Sequence, residues 1–183
     1  MGISLTKGQK ISLTKADGSG APTRIAMGLG WDAADDEIDL DASCIGFAAD
    51  KSKVETVYFG NLRGFGGAVR HSGDNLTGDG DGDDETIEVD LDKVPAQVTH
   101  LVFTVNSFRG QTFDEVANAS CRLIDRDTGA ELAKYNLSEK GSHTGLVLAR
   151  LYRHQGAWKL HAMGEPGRGR TTDAMIPHIV TLF

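Results

Sequence analysis

The stretch NLTGDGDGDDETIEVD, residues 75–90, changes character within a few positions. Five carboxylates fall between Asp79 and Glu85, interleaved with Gly80 and Gly82. Ile87, Val89 and Leu91 then alternate with Glu88 and Asp90, the period-two pattern of a half-buried strand. No Lys or Arg occurs between His71 and Asp92, so the chain supplies no local counter-charge. Carboxylates this close repel one another, and a fold that crowds them needs something to neutralise them.

Hard oxygen ligands on a tightly curling Asp-Gly backbone suit calcium, which takes 6–8 oxygens from carboxylates, carbonyls and water. An EF-hand counted from Asp79 would put acids at positions 1, 3, 5 and 12, but Asp84 occupies position 6, where the sharp turn needs glycine. Its flanks also fail, because residues 71–78 read as loop and 86–91 as strand where helices are required. A single G-D-G-D unit without nonapeptide repeats likewise excludes a calcium-loaded β-helix. The pattern predicts a calcium loop mounted on a sheet.

Working outward, the same alternation predicts strands at 23–30, 40–48, 54–59, 100–106, 119–124, 131–136, 145–153 and 157–162. His154-Gln-Gly156 reads as a hairpin turn between the last two. The repeated Ile3-Ser-Leu-Thr-Lys7 and Ile11-Ser-Leu-Thr-Lys15 reads as a hairpin or as two successive edge strands. Helix is predicted only as two turns at 112–117 and one at 92–96. Ile179–Phe183 is expected to add a last strand or to dock on a neighbour. About ten short strands and 23 glycines predict a mainly β, two-sheet antiparallel sandwich with calcium-binding loops at one end, a closed barrel being the alternative. The 183 residues suit one domain, 1–183, with a divergent tail over 165–183.

Charge is unevenly spread. Residues 31–92 carry 17 Asp/Glu against 4 Lys/Arg, and the remainder 9 against 15, giving the net charge of −7. The acidic part disfavours nucleic acid as its partner and favours cations. A second acidic segment, GLGWDAADDEIDLDAS (28–43), offers Asp32, Asp39 and Asp41, with Asp35–Glu37 at the loop tip expected to be solvated. Asp39 and Asp41, two apart on an extended backbone, project to one face with Leu40 turned to the core. Two such loops at one end of a sandwich could share ions.

Other motifs are weaker. Gly28-Leu-Gly-Trp-Asp-Ala33 fits G-x-G-x-x-A, but an acid run stands where the apolar helix belongs and would repel a pyrophosphate. Cys44 and Cys121 read as buried free thiols. No apolar run spans a bilayer and no secretory leader is read, so a cytoplasmic location is expected. An enzyme reading, a metal-dependent hydrolase with His71 as base, would need an open coordination position. A scaffold reading would have the apolar tail drive homo-oligomerisation.

Lys7-Gly-Gln, Ser12-Leu-Thr-Lys15, Gly28-Leu-Gly-Trp-Asp32, Asp39-Leu-Asp-Ala-Ser43 and the block from His71 to Glu85 together resemble the TerD family of bacterial stress proteins associated with tellurium resistance. Leu151-Tyr-Arg, Trp158-Lys and Ala162-Met-Gly164 continue the resemblance. It implies a cytoplasmic, non-catalytic calcium-binding β-sandwich holding two Ca²⁺, with other stress-operon proteins, a membrane protein among them, as partners. Carried over by position, the implied ligands are Asp39 and Asp41 and Asp79, Asp81, Asp83, Asp84 and Glu85, with Asp32 and Asn75 nearby. The resemblance stops after Gly164, where Gly167-Arg-Gly-Arg170 and the apolar tail follow.

Overall fold

Residues 85–90 do form a strand, and its alternation places Ile87 and Val89 in the core. The computed structural model describes residues 2–33, 38–73, 82–137 and 140–183. Along the chain run β1 (Ile3–Ser4), β2 (Lys10–Ser12), β3 (Arg24–Ala33), β4 (Leu40–Phe47), β5 (Lys53–Val57), β6 (Arg63–Gly64) and β7 (Val69–His71). They are followed by β8 (Glu85–Asp90), β9 (His100–Ser107), β10 (Val116–Asp125), β11 (Glu131–Asn136), β12 (Gly145–His154), β13 (Ala157–Gly167) and the helix α1 (Thr172–Ile179).

These strands form a seven-stranded sheet, β1-β11-β10-β3-β8-β7-β6, and a six-stranded sheet, β2-β13-β12-β9-β4-β5. Every pairing is antiparallel except β1 with β11. The sheets end in separate edge strands and do not close on each other, so the architecture is a sandwich and not a barrel. Alternate residues from both inner faces fill one core: Ile25, Met27, Leu29 and Trp31 of β3 meet Leu40 and Cys44 of β4 and Leu101, Phe103 and Val105 of β9.

The six-stranded sheet is covered on its outer face as well. Ile45, Phe47, Val102 and Val147 point outward onto Met175 and Ile179 of α1. That second layer explains why all eight residues of β4 are buried. The last strand expected over 179–183 does not form: α1 ends at Ile179, and the remaining residues close it in turns, Thr181 N donating to His178 O and Leu182 N to Ile179 O. Thr171 caps it by accepting from Ala174 N, and Met175 and Ile179, four apart, form one apolar face. The tail docks on its own sheet.

Two further expectations are corrected. The N-terminal repeat is not a hairpin: β1 joins the edge of one sheet beside β11 and β2 the edge of the other beside β13. Gly8, at φ 83, turns the chain between them. Residues 112–117 do not form two helical turns. Glu115 accepts from Thr112 N at 2.7 Å in a single capped turn, and Val116 then pairs with Ala33 as β10 begins. The β12–β13 hairpin forms as expected, with Gln155 and Gly156 both at positive φ in the two-residue loop.

Candidate functional site

The acidic end begins where β8 meets β3. Their ladder closes at Leu29 opposite Glu85, and Asp84 N donates to Leu29 O at 2.8 Å. Beyond it the Asp84 side chain takes over, Oδ2 accepting from Trp31 N at 2.8 Å. Residues 82–84 lie directly over β3, so a Cβ on Gly28 would stand 2.1 Å from Asp83 Oδ2, and one on Gly30 3.2 Å from Gly82 O. The G-x-G of this strand is thus a bare track for an acidic segment, not a phosphate turn.

Asp83 is held by Arg122 of β10, whose Nε donates to its two carboxylate oxygens at 2.8 and 3.0 Å. Asp32 is exposed and accepts from Asn118 Nδ2 at 2.7 Å. Asn118 lies at φ 50 in the irregular step between Ala117 and Ser120. Asp84 feels this crowd: partial burial, then the charges of Asp32, Asp83 and Glu85, hold its carboxyl above the usual range despite the opposing Trp31 hydrogen bond.

Glu85 turns the other way, into the sandwich, and is 1% exposed. Its Oε2 accepts from Ala42 N at 2.7 Å and lies 3.2 Å from His71 Nε2. That same Nε2 is 3.1 Å from Ala42 O, while Gly73 N donates to Nδ1 at 2.9 Å. With Nδ1 accepting, the ring proton sits on Nε2, which donates toward both Ala42 O and Glu85. Because β5 pairs with β4 only from Cys44 onward, Glu85 and His71 satisfy the Ala42 peptide groups on that edge. The two acidic segments are stitched together at one end of the molecule through this contact.

Asp39 and Asp41 enter from β4. Leu40 is in the core, as the alternation predicts, and both carboxylates are buried. Arg109 Nε lies 3.7 Å from Asp39 Oδ2. Asp41 sits opposite Asn106 and, with Ser43, lines a cleft of about 530 Å³ on the outer side of the six-stranded sheet. Asn75, Asp79 and Asp81 lie outside the described residues, as do Asp35–Glu37. Among the described residues no three His, Cys, Asp or Glu side chains converge as a metal group.

The carboxylates expected to act alike have different surroundings: Asp84 feels the charge of Asp32 above β3, Asp83 is ion-paired with Arg122, Glu85 is buried against Ala42 and His71, and Asp41 lines a cleft. Sequence reading missed Arg122 because it stands 37 residues beyond Glu85 and meets the acids only through the β10–β3 register. It missed the Glu85–His71–Ala42 contact for the same reason. Among the described residues no helix is long and apolar enough to cross a membrane.

Fold and site together define a two-sheet β-sandwich protein with an acidic end built where the sheets meet. The chain belongs to the TerD family, whose TerD domain matches residues 1–176. It is 48% identical to tellurium resistance protein TerZ of Serratia marcescens, over 98% of this chain and 97% of that protein. It is 40% identical to stress response protein SCP2 of Bacillus subtilis over the full length of both. General stress protein 16U of the same organism is also 40% identical, over 92% of this chain and 93% of that one. Among solved structures, a homologue of telluride resistance protein from Streptomyces coelicolor superposes with a TM-score of 0.73, covering 85% of this chain and 96% of that one at 22% identity, a likeness of fold.

Proposed function

We propose that this chain is a calcium-binding, non-catalytic stress-response protein in which metal neutralises the acidic end and orders its loops. Relatives named for tellurium resistance and for stress response favour that setting. The observation that carries the reading is Asp84. Burial and the charges of Asp32, Asp83 and Glu85 hold its carboxyl above the usual range, and Arg122 is engaged by Asp83. The donors are all hard oxygens, the chemistry calcium selects over softer metals.

Asp32 and Asp84 would hold the ion together with Asp79, Asp81 and Asn75 from the intervening segment, and Asp39 and Asp41 would serve a second ion from the adjoining loop. Asp83 and Glu85 have a different part: Arg122 fixes the first over Gly28, and Ala42 and His71 fix the second in the core, so both position the segment that carries the ligands. The ion supplies charge compensation. Two Ca²⁺ would move the formal charge from −7 to −3.

Calorimetric titration with Ca²⁺, and thermal melting with Ca²⁺ or EDTA, test this. At free metal about 100-fold above Kd, each site adds ~2.7 kcal/mol of stability. Absence of both binding heat and a melting shift would overturn the reading. Mg²⁺ should compete weakly, since it demands a smaller octahedral site and releases water reluctantly.

A further inference from the structure

The outer face of the six-stranded sheet carries positive charge that the acidic end does not explain. Strand register fixes which residues stand there. Lys10 of β2, His161 of β13 and Arg150 of β12 lie directly opposite one another, in line with Val102 of β9. Ser12, Lys159, Tyr152 and His100 form the next row. Directly paired residues of antiparallel strands share a face, and Val102 points outward onto α1, so both rows lie on the outer side. They run from the strands under the helix to the edge strand β2. Part of the base excess outside residues 31–92 is concentrated here.

No carboxylate answers that charge. Arg150 is 8% exposed, and its Nε is buried without a hydrogen-bond partner among the described residues. Its Cζ lies 4.9 Å from the Tyr152 ring centroid and 5.1 Å from that of Phe183, and its Nη2 is 3.4 Å from His161 Nδ1. A guanidinium taken this far out of water ordinarily keeps an acid beside it, because a buried unpaired charge is costly. Lys10 is exposed and Lys159 half-buried, and among the described residues neither forms an ion pair or a side-chain hydrogen bond. Glu165, on the same face opposite Val147, is already paired with Lys7 at 3.4 Å. The field registers on His161, whose imidazole is lowered by burial and then by Arg150 and Lys10, with Glu165 alone opposing. Arginine can only donate, so His161 Nδ1 accepts and the ring proton sits on Nε2.

The arrangement selects the anion. Strands lie about 4.8 Å apart, so the row from Lys10 to Arg150 spans about 10 Å. It stops at the edge strand on one side and at the Phe183 ring on the other. One or two phosphate groups fit that length, and an extended polyanion does not. Donors reaching in from two strands suit a tetrahedral oxyanion with three or more acceptor oxygens better than a planar carboxylate with two. We propose that this face binds a compact phosphate dianion of the phosphomonoester class. Lys10, Lys159 and the His161 Nε2–H meet its oxygens, and Arg150 supplies a fixed positive charge beneath them. The inference needs no metal and stands apart from the reading of the acidic end.

Inorganic phosphate, titrated at neutral pH and constant ionic strength into the full chain in EDTA and followed by NMR, is the first probe. Saturable binding at millimolar concentration is expected, with shifts concentrated at Lys10, Tyr152, Lys159 and His161 and an upward move of the His161 titration midpoint. Acetate should bind about tenfold more weakly. Lys10→Gln and Lys159→Gln should each weaken phosphate roughly three- to tenfold. Lys93→Gln, in the turn after β8 of the other sheet, should leave it unchanged. Sedimentation with vesicles of phosphatidic acid and of phosphatidylserine, matched in charge, separates the sources. Capture by phosphatidic acid alone, lost in both lysine variants, assigns the phosphomonoester to a lipid, and capture by neither assigns it to a soluble molecule. No saturable phosphate binding, acetate binding as tightly, shifts elsewhere, unchanged affinity in both lysine variants, or equal capture by phosphatidylserine would each overturn the proposal.

Discussion

Glu85 and Asp84 are adjacent in sequence and opposite in consequence. Glu85 is fully buried with its charge answered by Ala42 N–H and His71 Nε2–H. Glu85→Ala strands both donors, and urea denaturation should show a loss of about 3 kcal/mol. Glu85→Gln keeps an acceptor for Ala42 and should lose less. Asp84 carries a charge its surroundings oppose, while its hydrogen bond from Trp31 needs only an oxygen. Asp84→Asn keeps that oxygen and removes the charge. In EDTA the variant should melt at or above the parent temperature, and in Ca²⁺ it should gain less than the parent does. A lower melting temperature in EDTA would show that the charge is already compensated.

At the scale of elements, what was legible in the sequence is what local alternation encodes. Thr86–Leu91, His100–Asn106 and Gly145–Arg153 fell as strands because each shows period two or a continuous apolar run bounded by turns. The tail was misread because Ile-Val-Thr-Leu-Phe has strong β character, while its helical signal, Met175 and Ile179 above a Thr171 cap, lies upstream and needs a partner surface. Likewise the N-terminal repeat encodes two edge strands but not which sheet each joins, since that follows from distant β11 and β13. At the acidic end, the residue types were legible and their individual partners were not, because Arg122 and Ala42 reach the acids only through folding. The covered face gives the element-scale prediction. Ile179→Ala removes a fully buried side chain and should cost about 2–4 kcal/mol. Truncation after Gly169 uncovers Ile45, Phe47, Val102 and Val147, and light scattering should then report self-association of the shortened chain.

Across the whole molecule, the end of the chain is latched by an aromatic–cationic cluster that acid should open. Phe183 packs on Phe47 at 5.4 Å and on the His100 ring at 4.6 Å, with the Arg150 guanidinium 5.1 Å from its centroid. Lys51 lies 5.6 Å from the same ring and donates to Val180 O at 3.2 Å. Burial first, then the charges of Arg150 and Lys51, push the His100 imidazole down to about 4. His161, on neighbouring β13, is lowered by burial and by Arg150 and Lys10, with Glu165 opposing. The unfolded chain takes up these protons nearer 6.5, so below that pH it binds more protons than the native state and stability falls as pH falls. The contribution is complete above about pH 6.5 and is lost progressively as pH drops through 4, reaching about 1–2 kcal/mol for His100 once solvent screening is allowed for. A third cation beside Arg150 and Lys51 should then release the Phe183 ring before the sandwich itself opens. NMR titration should show His100 and the residues from Val180 to Phe183 shifting together near pH 4, and His100→Asn should flatten the fall of melting temperature between pH 6.5 and 4. An unchanged slope in that variant, or a His100 midpoint near 6.5, would show that the latch is indifferent to protonation.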